Sequence, residues 1–303
     1  MRRYPFAVVD VFTDRPFAGN QLAVVFDADD LSAAAMQALA REFNFAESTF
    51  VQAAAPGSGH DARVRIFTPM AELPFAGHPT VGTALALAWR GLVPAGRSRV
   101  TLGEGAGPVP VDLAFDADGR AVAAEFAAPK EPSIGAGVEP AAVAAALGLR
   151  PEQLVTAAGL PRDASCGLPF LFVELADLDA LSTARLREAP AFPGSAGEGV
   201  HVFTRDTGDR ADIDLRARMF SPGHGIPEDP ATGSAAAALA GLLASAEAPG
   251  DGIVRYRILQ GAEMGRPSRI DASARVEGGR VVEVRVGGAA VPVAEGEIAA
   301  PPG

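Results

Sequence analysis

His78-Pro79-Thr80-Val81-Gly82-Thr83-Ala84 and, 151 positions later, Asp229-Pro230-Ala231-Thr232-Gly233-Ser234-Ala235 read HPTVGTA and DPATGSA. Proline, glycine and alanine coincide, and Thr83 answers Ser234. Each copy follows an R-x-F-[S/T]-P stretch: Arg65, Phe67, Thr68 and Pro69 before the first, Arg218, Phe220, Ser221 and Pro222 before the second. Each then runs into an apolar segment of helix-forming residues. Self-similarity of this kind declares architecture, and here it predicts two halves of like fold facing one site. The sharp chemical difference between the copies is His78 against Asp229.

Length agrees with two domains, since 303 residues is about twice a common domain size. With 48% hydrophobic and 21% charged residues the composition is globular. A net charge of −11 without a basic cluster argues against nucleic acid or an anionic membrane as partner, because both demand positive patches. A small anionic substrate remains compatible, held by local dipoles. The single cysteine, Cys166, forms no internal disulfide, which fits a reducing cytoplasm. The N-terminal apolar run stops at Asp10, too soon for a signal peptide, and the run from Ala235 to Ala246 is too short to span a bilayer.

Along the chain, residues 6–12 and 21–26 read as strands around the turn TDRPFAGN. Asp30 is placed to cap a helix over 31–43 that Asn44 ends, and a strand starts at Glu47. A strand over 63–67 leads to a helix over 79–89 with proline at its start. Strands follow at 98–102, 108–115 and 121–127, with Gly103–Pro108 read as a hairpin turn. The second half opens near residue 128. It reads as helix 139–148, strand 169–175, a short helix near 182–188, strands 200–204 and 212–219, helix 233–246, and strands near 253–259, 268–276 and 280–286. Residues 291–293 read as a last edge strand before a frayed tail. Two helices apolar on every face, among many short strands, predict an α+β fold in which a sheet curls around each helix.

The heptapeptides place helix N-termini behind a proline. Their first N–H groups lack intrahelical partners, the macrodipole adds positive charge, and small residues let an anion approach. Thr83 and Ser234 hydroxyls would assist, with Gly77, Thr232, Gly233 and Asn20 as further substrate-binding candidates. The plain alternative is that both segments are only well-capped core helices. A helix mouth favours neutral His78 and ionised Asp229, which suits general acid–base work; otherwise each is simply a cap. Glu47 lies between a helix end and a strand start among apolar neighbours, which would raise its pKa towards neutrality. A surface glutamate is the alternative there. The repeat gives Glu47 no acidic partner, because counting back from Arg218 as from Arg65 reaches Val200. No HExxH motif or Cys/His cluster is present, so no metal is expected.

The chain resembles the PhzF (phenazine biosynthesis) family, within the diaminopimelate epimerase-like fold. The resemblance spans nearly the whole chain. It is carried by DVFTDRPFAGNQLAVV (10–25), NFAESTFV (44–51), RIFTPMAELPFAGHPTVGTA (65–84), GLPFLFVEL (167–175) and PEDPATGSA (227–235). It implies two similar domains, each a mostly antiparallel sheet wrapped around a central helix, with the active site in the cleft between them. Residues 1–127 would form the first, completed by a returning strand in 287–303, and residues 128–286 the second. It further implies a homodimer and a reaction without metal or organic cofactor.

In this family a glutamate at the position of Glu47 shuttles a proton between carbons of trans-2,3-dihydro-3-hydroxyanthranilate. Residues matching His78, Asp229 and Ser234 orient the substrate, and backbone groups of Gly77 and Gly233 suit its carboxylate. The helix-mouth segments contain no cysteine, unlike the two-thiol racemases of the same fold. The leading expectation is therefore a cofactor-independent isomerase acting on a small carboxylate-bearing substrate. The alternatives are an acid/base epimerase or racemase of a small amino or hydroxy acid, and a non-catalytic small-anion binding protein.

Overall fold

The computed structural model describes residues 2–94, 96–157, 159–188, 192, 195, 199–247 and 250–301. The chain divides into one compact unit, Met1–Ala127 with Gly287–Gly303, and a second, Ala128–Val286. In chain order the first unit holds β1 (Arg3–Val11), β2 (Asn20–Val25), α1 (Ala33–Phe43), β3 (Glu47–Ala53), β4 (Ala62–Phe67), β5 (Glu72–Leu73), α2 (Gly77–Trp89), β6 (Arg99–Glu104), β7 (Gly107–Phe115) and β8 (Ala121–Ala127). The second holds β9 (Ser133–Gly137), α3 (Pro140–Leu147), β10 (Arg162–Ser165), β11 (Pro169–Glu174), α4 (Leu178–Thr183), β12 (Val200–Thr204), β13 (Leu215–Ser221), β14 (Ile226–Asp229), α5 (Gly233–Glu247), β15 (Gly252–Gln260) and β16 (Ser268–Glu277). The last strand, β17 (Arg280–Ala299), begins in the second unit and ends in the first.

In the first unit the pairings run β17–β1–β2–β3–β4–β6–β7–β8 and return to β17, so the sheet closes on itself. Inside lies α2, packed against β1, β2, β3, β6, β7 and β8. Every residue from Gly77 to Leu87 is buried. A helix with no polar face cannot border water, and closure of the sheet is the consequence. At Gly82 helix and sheet approach closely: a Cβ there would lie 2.7 Å from both Leu22 Cδ2 and Val11 Cγ2.

The second unit repeats the pairing order. Strands β10–β11–β12–β13–β15–β16 follow one another as β1–β2–β3–β4–β6–β7 do, with the same parallel steps at the second and fourth junctions. β9 adds to β10 as the end of β17 adds to β1. α5 takes the place of α2, packing on β10, β11, β15 and β16.

Several local expectations are corrected. Ser32, not Asp30, caps α1, its hydroxyl accepting from the Ala35 N–H at 3.1 Å. Asp30 instead accepts from Arg2 and from the Tyr4 hydroxyl. The short helix falls at Leu178–Thr183, earlier than 182–188, because Asp177 caps it. The tail strand is not a three-residue edge: β17 runs unbroken through Gly287-Gly288 and Pro292, and a bulge between Val8 and Val9 accommodates its pairing with β1. Among the described residues, no helix is long and apolar enough to cross a membrane.

The repeated arginines pin equivalent hairpins. Arg65 forms a two-pronged ion pair with Glu72 at 2.7 and 2.6 Å, and Arg218 does so with Glu228 at 2.8 and 2.9 Å. Arg218 is only 3% exposed and also donates to the carbonyls of Leu181, Ser182 and Ala184 at the end of α4. Arg218→Ala should therefore destabilise by roughly 3 kcal/mol, leaving buried acceptors without a partner, whereas Arg65→Ala should cost about 1 kcal/mol or less. Urea unfolding of both variants checks this; equal losses would contradict it.

Burial also sets the protonation of three groups. It pushes the imidazoles of His78 and His201 down to about 3 and about 4, and the carboxyl of Glu104 up to about 8. The histidines stay neutral when folded, so their share of stability is lost as pH falls from about 6.5. Glu104 is ionised in the unfolded chain above about pH 4.5 but protonated when folded, so its burial costs more stability as pH rises towards 8. The stability gap between Glu104→Gln and the wild type should widen in favour of the variant by about 1 kcal/mol per pH unit from about pH 5 to about pH 8. Parallel stability–pH curves would refute this.

Candidate active site

Three elements of the first unit converge on His78. The turn after β1 places Asn20. Phe12 and Phe17 take left-handed backbone conformations, with φ of 65° and 66°. Their N–H groups are held by Ala289 O at 2.7 Å and Asp10 Oδ2 at 2.7 Å. Gly19 follows at φ 68°, where a Cβ would sit 2.3 Å from Val11 O, so no side chain fits. Asn20 then enters β2 opposite Val11, buried.

Glu47 is placed by the end of α1. Asn44 stops the helix in the left-handed conformation, φ 53°, returning its N–H to Ala40 O at 3.1 Å. The chain enters β3 with Glu47 alongside Leu22 of β2. His78 is the second residue of α2, whose cap residue Ala76 offers no side-chain hydrogen bond. The Nδ1 of His78 lies 3.3 Å from the Asn20 amide and 3.6 Å from Glu47 Oε2. Its ring is 4% exposed, and Glu47 retains 14%. Neutral His78, as expected at a buried helix mouth, accepts from the Asn20 amide at Nδ1 in its Nε2–H tautomer, while Glu47 Oε2 lies just beyond hydrogen-bond distance. The structure thus brings together Glu47, His78, Asn20 and Gly77.

Thr83 does not belong with them. It lies in the second turn of α2, fully buried, its hydroxyl 2.9 Å from that of Thr49. It is a core pair, not a helix-mouth donor. Thr80 is the hydroxyl of the first turn, 2.7 Å from both Ala76 O and Glu104 Oε1.

In the second unit, α5 begins at Gly233, so Asp229-Pro230 stands four residues outside the helix instead of at its first turn. His78 and Asp229 therefore match in the repeat but not in secondary structure. Asp229 ends β14 opposite Met219. The Thr232 hydroxyl donates to its carboxylate at 2.5 Å, and the Gln260 amide donates to Asp229 O at 2.8 Å and to Thr232 Oγ1 at 3.1 Å. Gly233 is buried at the head of α5 and Ser234 half-buried behind it. Asp229, Thr232, Gly233 and Ser234 form one stretch, as the sequence suggests.

The strand register revises the counterpart of Glu47. Phe50 faces Arg65 in the first unit and Val202 faces Arg218 in the second, so position 47 answers Gly199, not Val200. A Cβ at Gly199 would fall 2.5 Å from Met219 Cε and 2.6 Å from Phe220 O. The second unit has no room for a glutamate there. Sequence reading also missed Glu104, Thr80 and Gln260. A signal existed in the E-G of Glu104-Gly105 and the Q-G of Gln260-Gly261, each at a strand end.

The chain matches the phenazine biosynthesis-like protein family (PhzC-PhzF) over residues 9–296. It is 42% identical over 299 residues to trans-2,3-dihydro-3-hydroxyanthranilate isomerase of Pseudomonas aeruginosa, covering 98% of this chain and 99% of that one. It is 42% identical over 305 residues to an uncharacterized isomerase of Mesorhizobium japonicum, with 98% and 99% covered. The fold is similar to that of the PhzF-family phenazine biosynthesis protein of Bacillus anthracis, with a TM-score of 0.87, 27% identity, and 99% and 100% of the chains covered. A hydroxyproline epimerase from Agrobacterium vitis shares the fold alone, with a TM-score of 0.62 at 13% identity over 98% and 92% of the chains. Matched across nearly its whole length, the chain belongs to the phenazine biosynthesis-like family and is an isomerase.

Proposed function

We propose that this isomerase moves a proton between carbons of a small carboxylate-bearing substrate, and that trans-2,3-dihydro-3-hydroxyanthranilate is one such substrate. The observation that carries the reading is the Glu47–His78–Asn20 cluster, with Glu47 Oε2 3.6 Å from His78 Nδ1. Glu47 is the carboxylate of this cluster and keeps partial exposure, so it takes the proton from an activated C–H. The electron pair left behind shifts along the conjugated system, and the same carboxyl returns the proton at another carbon. Atoms and charge balance without a co-reactant. Neutral His78, its Nδ1 held by the Asn20 amide, walls the carboxylate on one side. First-turn amides at Gly77 suit a substrate carboxylate. The reading extends to a homodimer in a reducing cytoplasm, a compartment that a chain with a single cysteine suits.

Glu47→Gln should lower kcat on trans-2,3-dihydro-3-hydroxyanthranilate by roughly 10²–10⁴-fold and abolish deuterium uptake from heavy water, while substrate binding stays within about threefold. Undiminished exchange in that variant would remove Glu47 from its role. Because His78 titrates only near 3, its ring resonances should not move between about pH 5 and about pH 8 in histidine-labelled NMR. A titration midpoint near 6.5 would show that the ring is not buried neutral.

A further inference from the structure

The two sheets hold one more matched pair. Ala62 and Arg63 face Leu102 and Gly103 across β4–β6, and Leu215 and Arg216 face Ile258 and Leu259 across β13–β15. The next residues, Glu104 and Gln260, therefore occupy the same place in the two units, each the last of its strand. Gln260 donates through its amide to the Thr232 hydroxyl, which donates on to Asp229. Glu104 contacts the Thr80 hydroxyl, which contacts the carbonyl of Ala76 just before α2.

Proton counting decides how the first relay works. Thr80 Oγ1 lies 2.7 Å from both Ala76 O and Glu104 Oε1 but carries one hydrogen. A carbonyl only accepts. If Glu104 were ionised, two acceptors would compete for that hydrogen and one close contact would be repulsive. With a proton on Oε1, Glu104 donates to Thr80, Thr80 donates to Ala76, and both contacts are satisfied. The other oxygen, Oε2, is buried with no hydrogen-bond partner among the described residues. That is far less costly for a neutral acid than for a carboxylate.

We propose that Glu104 serves as a neutral carboxylic acid, the counterpart of the Gln260 amide. It donates to Thr80 and thereby fixes the first turn of α2, which carries Gly77 and His78. It is a positioning residue for the isomerase, and its kinetic consequence rests on the reading of His78 given above. Burial pushes its carboxyl up to about 8, the direction this role needs.

Isotope-edited infrared difference spectra of wild type and Glu104→Gln, with labelled glutamate at neutral pH, test the protonation directly and need no substrate. A protonated-carboxyl C=O band lost in the variant is expected; loss of carboxylate bands alone would overturn the proposal. With trans-2,3-dihydro-3-hydroxyanthranilate as probe, Glu104→Ala should lower kcat roughly tenfold to hundredfold with little change in KM, and Glu104→Gln should restore it to within about threefold. If the glutamine variant is as slow as the alanine one, the relay is wrong. If Glu104→Ala fails to fold, the infrared band and the glutamine variant still decide. A wild type inert on this compound would strike the proposed substrate, while the infrared result would still decide the state of Glu104.

Discussion

The structure rests on one constraint: α2 has no polar face. Eleven consecutive residues, Gly77 to Leu87, are buried, so the sheet around them must close, and Gly82 must lack a side chain where helix meets sheet. A helix enclosed on all sides reaches polar surroundings only at its ends. The N-terminal end is where Asn20, Glu47, His78, Thr80 and Glu104 gather. The same burial that holds the helix keeps His78 and Glu104 neutral. Packing and chemistry therefore share a cause.

Duplication supplies the second half of the account, and its departures are informative. The strand order and parallel steps repeat. At matched positions, however, Glu47 answers Gly199 and Glu104 answers Gln260. The Gly199 site is closed by Met219 and Phe220, so a carboxylate at this position fits the first unit and not the second, for steric reasons. At the other pair both units keep a neutral donor but build it differently, one from an acid and one from an amide. The helix mouths diverge as well, since α2 starts at Gly77 and α5 at the residue matching Gly82.

Much of this was legible in the amino-acid sequence. The apolar helices, the αL stop at Asn44 and the strands flanking them follow from hydrophobic pattern and cap chemistry, and the repeat revealed the duplication. Glu47 was visible because of the resemblance to a family, since the repeat itself offered no acidic partner. The failures have physical reasons. Asp30 looked like a cap but is drawn to Arg2 and Tyr4. Residues 280–286 and 291–293 read as separate strands, yet pairing with β1 overrides local propensity and makes β17 one strand of 20 residues. Thr83 aligned with Ser234 in the repeat, but helical phase turns it into the core against Thr49. Glu104 was hidden because its importance depends on strand register, which no local pattern reveals.

In the proposed reaction Glu47, beside His78, is the group that meets the reacting carbon. A crystal structure with 3-hydroxyanthranilate, the aromatic and unreactive relative of the proposed substrate, tests it most directly. A ring carbon is expected within about 3.5 Å of a Glu47 carboxyl oxygen. An ordered ligand whose ring carbons all lie beyond reach of Glu47 would contradict it.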